Sequence, residues 1–186
     1  ENCMLSAFVD EVYSEDASWF EEGLGKAVKK GKTETRTTKE EWIQRLVDVY
    51  SIYQDGFVEI QKILSDESDV DALHIIGHGS VGQIAFGTAV LNSDTLDSYE
   101  NTLKTIGLSL SEQGDILFYG CNVAADQNGE ILINQIADIT QADIAASDDV
   151  TGKGGDWDLE KHTGIIEANN IDVVNYEHSL ANGVAS

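Results

Sequence analysis

Apolar runs of strand length alternate with amphipathic runs of helix length along this chain. The clearest apolar run is Ile116-Leu117-Phe118-Tyr119, bounded by Gly114-Asp115 before it and Gly120 after it, and followed by Cys121-Asn122. A charge-free stretch of that length fits a strand buried on both faces, as in a parallel sheet with helices on either side. Ala72-Leu73-His74-Ile75-Ile76 has the same form and ends in Gly77-His78-Gly79-Ser80. A histidine therefore stands at the end of one predicted strand and a cysteine at the end of a later one, with a helix-length segment between. Open α/β sheets bind their ligands at the carboxyl ends of their strands. Parallel neighbours would bring these two ends within about 4.8 Å, one strand spacing.

The rest of the pattern fills in around these two strands. Met4 to Val9 reads as a strand, and Asp16 to Lys30 as a helix with Trp19, Phe20, Leu24, Ala27 and Val28 at helical spacing and Gly31 as its stop. Gly31 to Thr37 is a polar loop. Thr38-Lys39-Glu40-Glu41 has the form of a capping box for a short helix through Arg45. From Val47 to Tyr53 the alternation suits a strand, although the same residues could extend the helix; the strand is preferred because Gln54-Asp55-Gly56 then turns into a helix from Phe57 to Ser65. Ile84-Ala85-Phe86 and Ala89-Val90-Leu91 flank Gly87-Thr88 as a small hairpin. Asn92 or Ser93 caps a helix to Ile106, with Gly107 as its stop. Asp126 to Ile139 is helical, and Ala142 to Ala146 is a fifth strand. Trp157-Asp158-Leu159 and Ile165-Ile166-Glu167 make a second hairpin, and periodicity is lost after Ala168. Strands alternating with helices define an α/β fold with a mainly parallel sheet and helices on both faces. One domain over residues 1–168 and a tail or linker over 169–186 are expected, since 186 residues suit a single core.

Charge changes the picture more than composition does. Thirty-four acidic residues against 11 basic ones give a net charge of −23, and six of those basic residues fall between Lys26 and Lys39. A surface of that sign repels phosphate backbones and anionic lipids, which argues against nucleic-acid and membrane partners. No apolar run approaches the ~18 residues of a membrane span, and the start shows no basic region of a signal peptide. The two cysteines, Cys3 and Cys121, fit free thiols better than a structural disulfide.

His78 and Cys121 are the residues on which chemistry can be built. They are 43 positions apart (78 to 121), near the roughly 50 that separates histidine from cysteine in caspases. A free thiol titrates near about 8.5 and needs a cationic neighbour or a helix N-terminus to become a nucleophile. His78 could supply the first and the helix after Asn122 the second. The plainer reading is a buried structural cysteine and a histidine satisfied by backbone, since free cysteine is among the most buried residue types.

His74-Ile75-Ile76-Gly77-His78-Gly79-Ser80, Leu117-Phe118-Tyr119-Gly120-Cys121-Asn122-Val123-Ala124, Ala145-Ala146-Ser147-Asp148-Asp149 and Gly154-Gly155-Asp156-Trp157 occur here in that order. In these motifs the chain resembles a bacterial domain family known only as a domain of unknown function. That family occurs near the start of very large secreted or surface proteins that carry repeat arrays. The resemblance covers roughly Met4 to Ala168, and Lys29 to Arg45 departs from it as an insertion would. The family in turn resembles the caspase-like cysteine peptidases, which include the self-processing domains of large toxins. That second resemblance implies a three-layer α/β/α sandwich. It also implies His78 as acid/base, Cys121 as nucleophile, and the backbone N–H groups of Gly79 and Cys121 as an oxyanion hole. The substrate would be a peptide or protein, including the chain's own polypeptide. The setting would be extracellular or cell-surface, and no cofactor or metal would be needed. The alternative is a non-catalytic module at the head of an adhesin-like protein.

Such peptidases build the pocket for the residue before the scissile bond from loops at the same sheet edge. Asp148, Asp149 and Asp156, with Asp158 beside them, are the candidates here, and an acidic wall would favour Lys or Arg. The exposed basic loop from Lys29 to Arg36 would then be a self-cut site, against the plainer reading that these aspartates face water. Zinc on His74, His78 and Cys121 fits the usual ligand patterns poorly. Calcium on Asp66, Glu67, Asp69 and Asp71 lacks EF-hand spacing. Activation by an inositol polyphosphate, known in some toxin domains, would need a basic cleft that this sequence lacks outside Lys26 to Lys39.

Overall fold

The computed structural model of the chain describes residues 3–9 (backbone only), 55–171, 176 and 179–181. The helix expected from 16 to 30, the basic loop, the capped helix to 45 and the ambiguous segment 47–53 lie outside the described residues. The elements in order are β1 (Cys3–Val9), α1 (Gly56–Leu64), β2 (Val70–Ile76), β3 (His78–Ser80), β4 (Gln83–Phe86), β5 (Ala89–Asn92), α2 (Leu96–Ser109), β6 (Leu110–Tyr119), α3 (Gln127–Thr140), β7 (Asp143–Ala146) and β8 (Lys161–His162). The main sheet has the order β1-β2-β6-β7-β8, and β3-β4-β5 form a separate antiparallel sheet. The pairings β1–β2, β2–β6 and β6–β7 are parallel; only β8 runs antiparallel, against β7. The fold is therefore mixed α/β with a mainly parallel central sheet, as the alternation of elements predicts.

The two-residue period of a strand divides the core. Leu73 and Ile75 of β2, Ile116 and Phe118 of β6, and Ile144 and Ala146 of β7 face one way. They meet Phe57, Ile60 and Leu64 of α1, Leu103 and Ile106 of α2, and Leu132, Ile133 and Ile136 of α3. Ala72, Ile76, Leu117, Tyr119 and Ala145 face the other way and are covered by Trp157, Leu159, Ile171, Tyr176 and Leu180. Among the described residues, all three helices thus lie on one face, not on both, and the other face is closed by non-helical chain. The stretch read as a tail after Ala168 carries three of those buried residues. Single apolar anchors at irregular spacing produce no period, so the pattern alone could not reveal them.

Local chemistry sets the element ends. Asp55 Oδ1 accepts from the N–H groups of Phe57 and Val58, both at 3.1 Å, and so caps α1. The Tyr99 hydroxyl donates to the second oxygen of Asp55 at 2.6 Å, which joins α2 to the cap of α1. Tyr99→Phe is expected to cost about 1 kcal/mol, in line with the removal of a single hydrogen bond. Urea melts of the two proteins check this, and unchanged midpoints would show the bond to be idle. Gly107 does not stop α2 as the sequence suggests. The helix continues to Ser109, and a Cβ at 107 would stand 2.1 Å from the Thr140 carbonyl oxygen at the end of α3. The glycine is there so that two helices can touch. The expected hairpin of 157–159 with 165–167 is also replaced: β8 is Lys161–His162, and it pairs with β7. The hairpin at Gly87-Thr88 forms as read, with Gly87 in the left-handed region at φ 61°.

Candidate functional site

β2 and β6 pair in parallel through Ile76 and Tyr119, so the chain leaves both strands at the same edge. From there Gly77-His78-Gly79 and Gly120-Cys121 run against each other backbone to backbone. A Cβ on Gly79 would lie 2.5 Å from the Cys121 carbonyl oxygen and 2.6 Å from the Gly120 carbonyl carbon. A Cβ on Gly120 would lie 3.0 Å from the Gly77 carbonyl oxygen. At position 79 only glycine permits this approach, and at position 120 any larger residue would be tight. The carbonyl of Tyr119 accepts from the Gly77 N–H at 3.0 Å and continues the ladder past the strands. Asn122 follows with φ 59°, a left-handed turn that asparagine tolerates, and this directs the chain away from the sheet edge.

A third piece of backbone lies in this edge: residues 179–181. The N–H groups of Gly79 and Cys121 both donate to the Leu180 carbonyl oxygen, at 2.9 Å and 3.3 Å. The Leu180 N–H donates to the Thr151 carbonyl at 3.0 Å, and Ser179 bridges antiparallel to Gly152. On the other side Ala181 bridges in parallel to Gly79, and His78 Nδ1 lies 3.0 Å from the Ala181 carbonyl oxygen. A carbonyl only accepts, so Nδ1 is the donor there. The Leu180 side chain is fully buried in the apolar cluster of Ile76, Tyr119, Cys121 and Trp157. Two N–H groups converging on one carbonyl oxygen form an arrangement that can stabilise negative charge on that oxygen.

Cys121 is a free, fully buried thiol. Its sulfur accepts from the Thr151 N–H at 3.3 Å and lies 3.5 Å from the Thr151 carbonyl. The helix after Asn122 does not support it as the sequence suggests. α3 begins only at Gln127, and its first free N–H groups, of Asn128 and Gly129, are taken by the Asp126 carboxylate at 2.8 Å and 3.1 Å. The donor at the sulfur is instead the main chain of Thr151, in the loop after β7. Thr151, Gly152, Leu180 and Ala181 are the residues that sequence reasoning missed. Leu180 stands in a stretch whose apolar residues follow no strand or helix period, so the sequence carries no signal that picks it out.

The expected pocket aspartates sit at the rim. Asp149 and Asp156 are exposed and Asp148 is half-buried. The Asp149 backbone carbonyl accepts from the Asn122 N–H at 2.6 Å, which ties this loop to the turn after Cys121. Its carboxyl is pushed up, first by burial and then by the charges of Asp156 and Asp148. His74 is wholly buried, which holds its ring neutral with a pKa of about 3. It shares a 3.1 Å hydrogen bond with the Tyr119 hydroxyl. The hydroxyl also accepts from the Ile171 N–H at 2.9 Å, and burial raises the Tyr119 phenol well above its usual range. His74 is thus part of the core, as its place within the strand predicts. Among the described residues, two sets of carboxylates bring one oxygen each within 4.8 Å: Asp115, Asp143 and Glu167, and Asp149, Asp156 and Glu160. Neither set includes His74, His78, Cys121 or the acidic loop from Asp66 to Asp71. No described helix is long and apolar enough to cross a membrane.

Fold and site together define a mixed α/β domain, with a histidine and a cysteine carried on adjacent parallel strand ends. Residues 29–180 match the family described as a domain of unknown function (DUF4347), and the chain belongs to that family. No curated protein and no solved structure matches the chain significantly.

Proposed function

We propose that this domain is a caspase-like cysteine endopeptidase that acts on peptide bonds, including one in its own polypeptide, with Cys121 as nucleophile and His78 as acid/base. The observation that carries the reading is the convergence of the Gly79 and Cys121 N–H groups on a single carbonyl, that of Leu180. Donors at 2.7–3.1 Å from a developing oxyanion are what acyl transfer requires; here Gly79 stands at 2.9 Å and Cys121 at 3.3 Å from a ground-state peptide carbonyl. The Thr151 main chain meets the sulfur with both its N–H and its carbonyl and so fixes where the thiol stands. In the caspase-like reading the sheet is the middle layer of a three-layer sandwich. The natural setting would be a secreted or surface polypeptide, with no cofactor.

The rival reading is a non-catalytic module of an adhesin-like protein, and the complete burial of Cys121 favours it. Alkylation by a small thiol reagent separates the two. In the peptidase, Cys121 is expected to react with the reagent at neutral pH. His78→Ala should slow that reaction at least tenfold, and peptide mapping would separate Cys121 from Cys3. Labelling only at alkaline pH, or at an equal rate in the His78→Ala protein, would remove the peptidase and leave the module.

A further inference from the structure

We infer that the bond between Leu180 and Ala181 is the domain's own substrate, seated in the site, and that the pocket before the scissile bond selects a leucine-sized apolar side chain. The inference rests on the peptidase reading and identifies its substrate.

Residues on both sides of that bond are held as a bound peptide would be. Upstream, Ser179 pairs with Gly152 and the Leu180 N–H meets the Thr151 carbonyl, the main-chain contacts of a peptide added to a strand edge. At the bond itself, the Leu180 carbonyl oxygen receives Gly79 and Cys121 N–H. Downstream, Ala181 pairs with Gly79 and reaches His78 through its carbonyl. Thr151 connects the two halves of the chemistry: its N–H meets the Cys121 sulfur and its carbonyl meets the Leu180 N–H. One residue thus holds both the sulfur and the residue whose acyl group it would receive.

The chemistry closes without any outside reactant except water. The Cys121 thiol gives its proton to His78, and the sulfur adds to the Leu180 carbonyl carbon. The oxygen becomes an oxyanion under the two N–H groups. Collapse breaks the bond to the Ala181 nitrogen, which takes the proton from His78 and leaves as an amine. Water then adds to the thioester, giving its proton to His78, and the sulfur leaves to recover the thiol. The products are a chain ending in the Leu180 carboxylate and a peptide beginning at Ala181.

Specificity follows from burial. Leu180 is 0% exposed, and the buried side chains around it, including Ile76, Leu117, Tyr119, Trp157 and Tyr176, are apolar or aromatic. A charged side chain there would lose its hydration among apolar and aromatic neighbours. This apolar pocket departs from the preference for Lys or Arg expected from Asp148, Asp149 and Asp156.

Intact-mass spectrometry of the purified chain over time is the test, run beside the labelling experiment. The expected result is loss of residues 181–186 at a rate independent of protein concentration. Cys121→Ala should stay full length. Leu180→Met should be cut near the parental rate, and Leu180→Asp at least 100-fold more slowly. If His78-dependent labelling is seen but the chain stays whole, or is cut elsewhere, the inference falls and the peptidase reading survives. Equal cutting of the Leu180→Asp protein would refute the apolar pocket. Cutting after residue 180 that persists in Cys121→Ala would overturn the inference and the reading together.

Discussion

A single methyl group added at Gly79 is expected to destabilise the domain by about 3 kcal/mol or more, the upper part of the range for overpacking. The added Cβ would stand 2.5–2.7 Å from the Cys121 oxygen, the Gly120 carbonyl carbon and the Cys121 nitrogen. All three are main-chain atoms at the end of β6, in the middle of a paired sheet, so no side chain can rotate away to relieve the clash. The strand ends must separate, and the two N–H groups that meet at Leu180 separate with them. For a chain of this size the cost corresponds to a fall in melting temperature of roughly 6–12 °C. Gly154→Ala is the control. Its Cβ would meet nothing within 4 Å, although its φ of 90° is unfavourable for alanine. That protein should lose only about 1–2 kcal/mol, the cost of a left-handed backbone for an L-residue. Thermal melts of both variants test the argument. A Gly79→Ala protein that melts within a degree of the parent would mean that the ends of β2 and β6 do not touch as described.

The second large effect is expected at Asp115, in the middle of β6. Its side chain is fully buried, and one carboxylate oxygen accepts from the N–H groups of Glu167 and Ala168 at 2.9 Å and 2.8 Å. The other oxygen is buried without a hydrogen-bond partner. Burial raises the Asp115 pKa to about 6. The two N–H bonds pull it down, and the charges of Glu167 and Asp143 push it up further. For a carboxyl whose folded pKa lies above its unfolded value, the folded state binds the proton more tightly. The stabilising contribution is therefore complete below the unfolded value near 3.8, falls as pH rises to about 6, and is gone above it. Asp115→Asn removes the ionisation and keeps an acceptor for the two N–H groups. Stability measured by urea unfolding from pH 4 to pH 7 should fall less steeply in Asp115→Asn than in the parent, by an amount on the order of 2 kcal/mol. Asp115→Ala should cost about 2–4 kcal/mol, most at pH 4 and least at pH 7, because two backbone donors lose their acceptor at every pH. Parallel pH profiles for parent and Asp115→Asn would show that the carboxyl is not buried.

Much of the fold could be read from the sequence, and the reasons are local. Ile116 to Tyr119 is an uninterrupted apolar run and Leu73 to Ile76 is broken only by His74, and such runs need partners on both faces whatever the rest of the chain does. Asp55 and Asp126 stand where helix caps belong, and both cap. The hairpin around Gly87 follows from its turn residues. Gly107 misleads for an equally physical reason. As a helix stop and as a contact between helices a glycine looks the same in sequence, and only the 2.1 Å approach of Thr140 decides between them.

By itself the sequence determined that His78 and Cys121 stand just past two buried strands, because strand periodicity and flanking glycines are properties of neighbouring residues. It also determined that the surface is strongly acidic, since charge adds up without regard to fold. What surrounds the two side chains was decided by the tertiary structure alone. The Thr151 N–H at the sulfur, the shared Leu180 carbonyl, and the aspartates left at the rim all depend on contacts between segments distant in the chain. Leu180 lies 59 residues after Cys121, and a main-chain hydrogen bond across that distance carries no residue-type signature. Any residue except proline offers the same N–H, and every residue offers the same carbonyl.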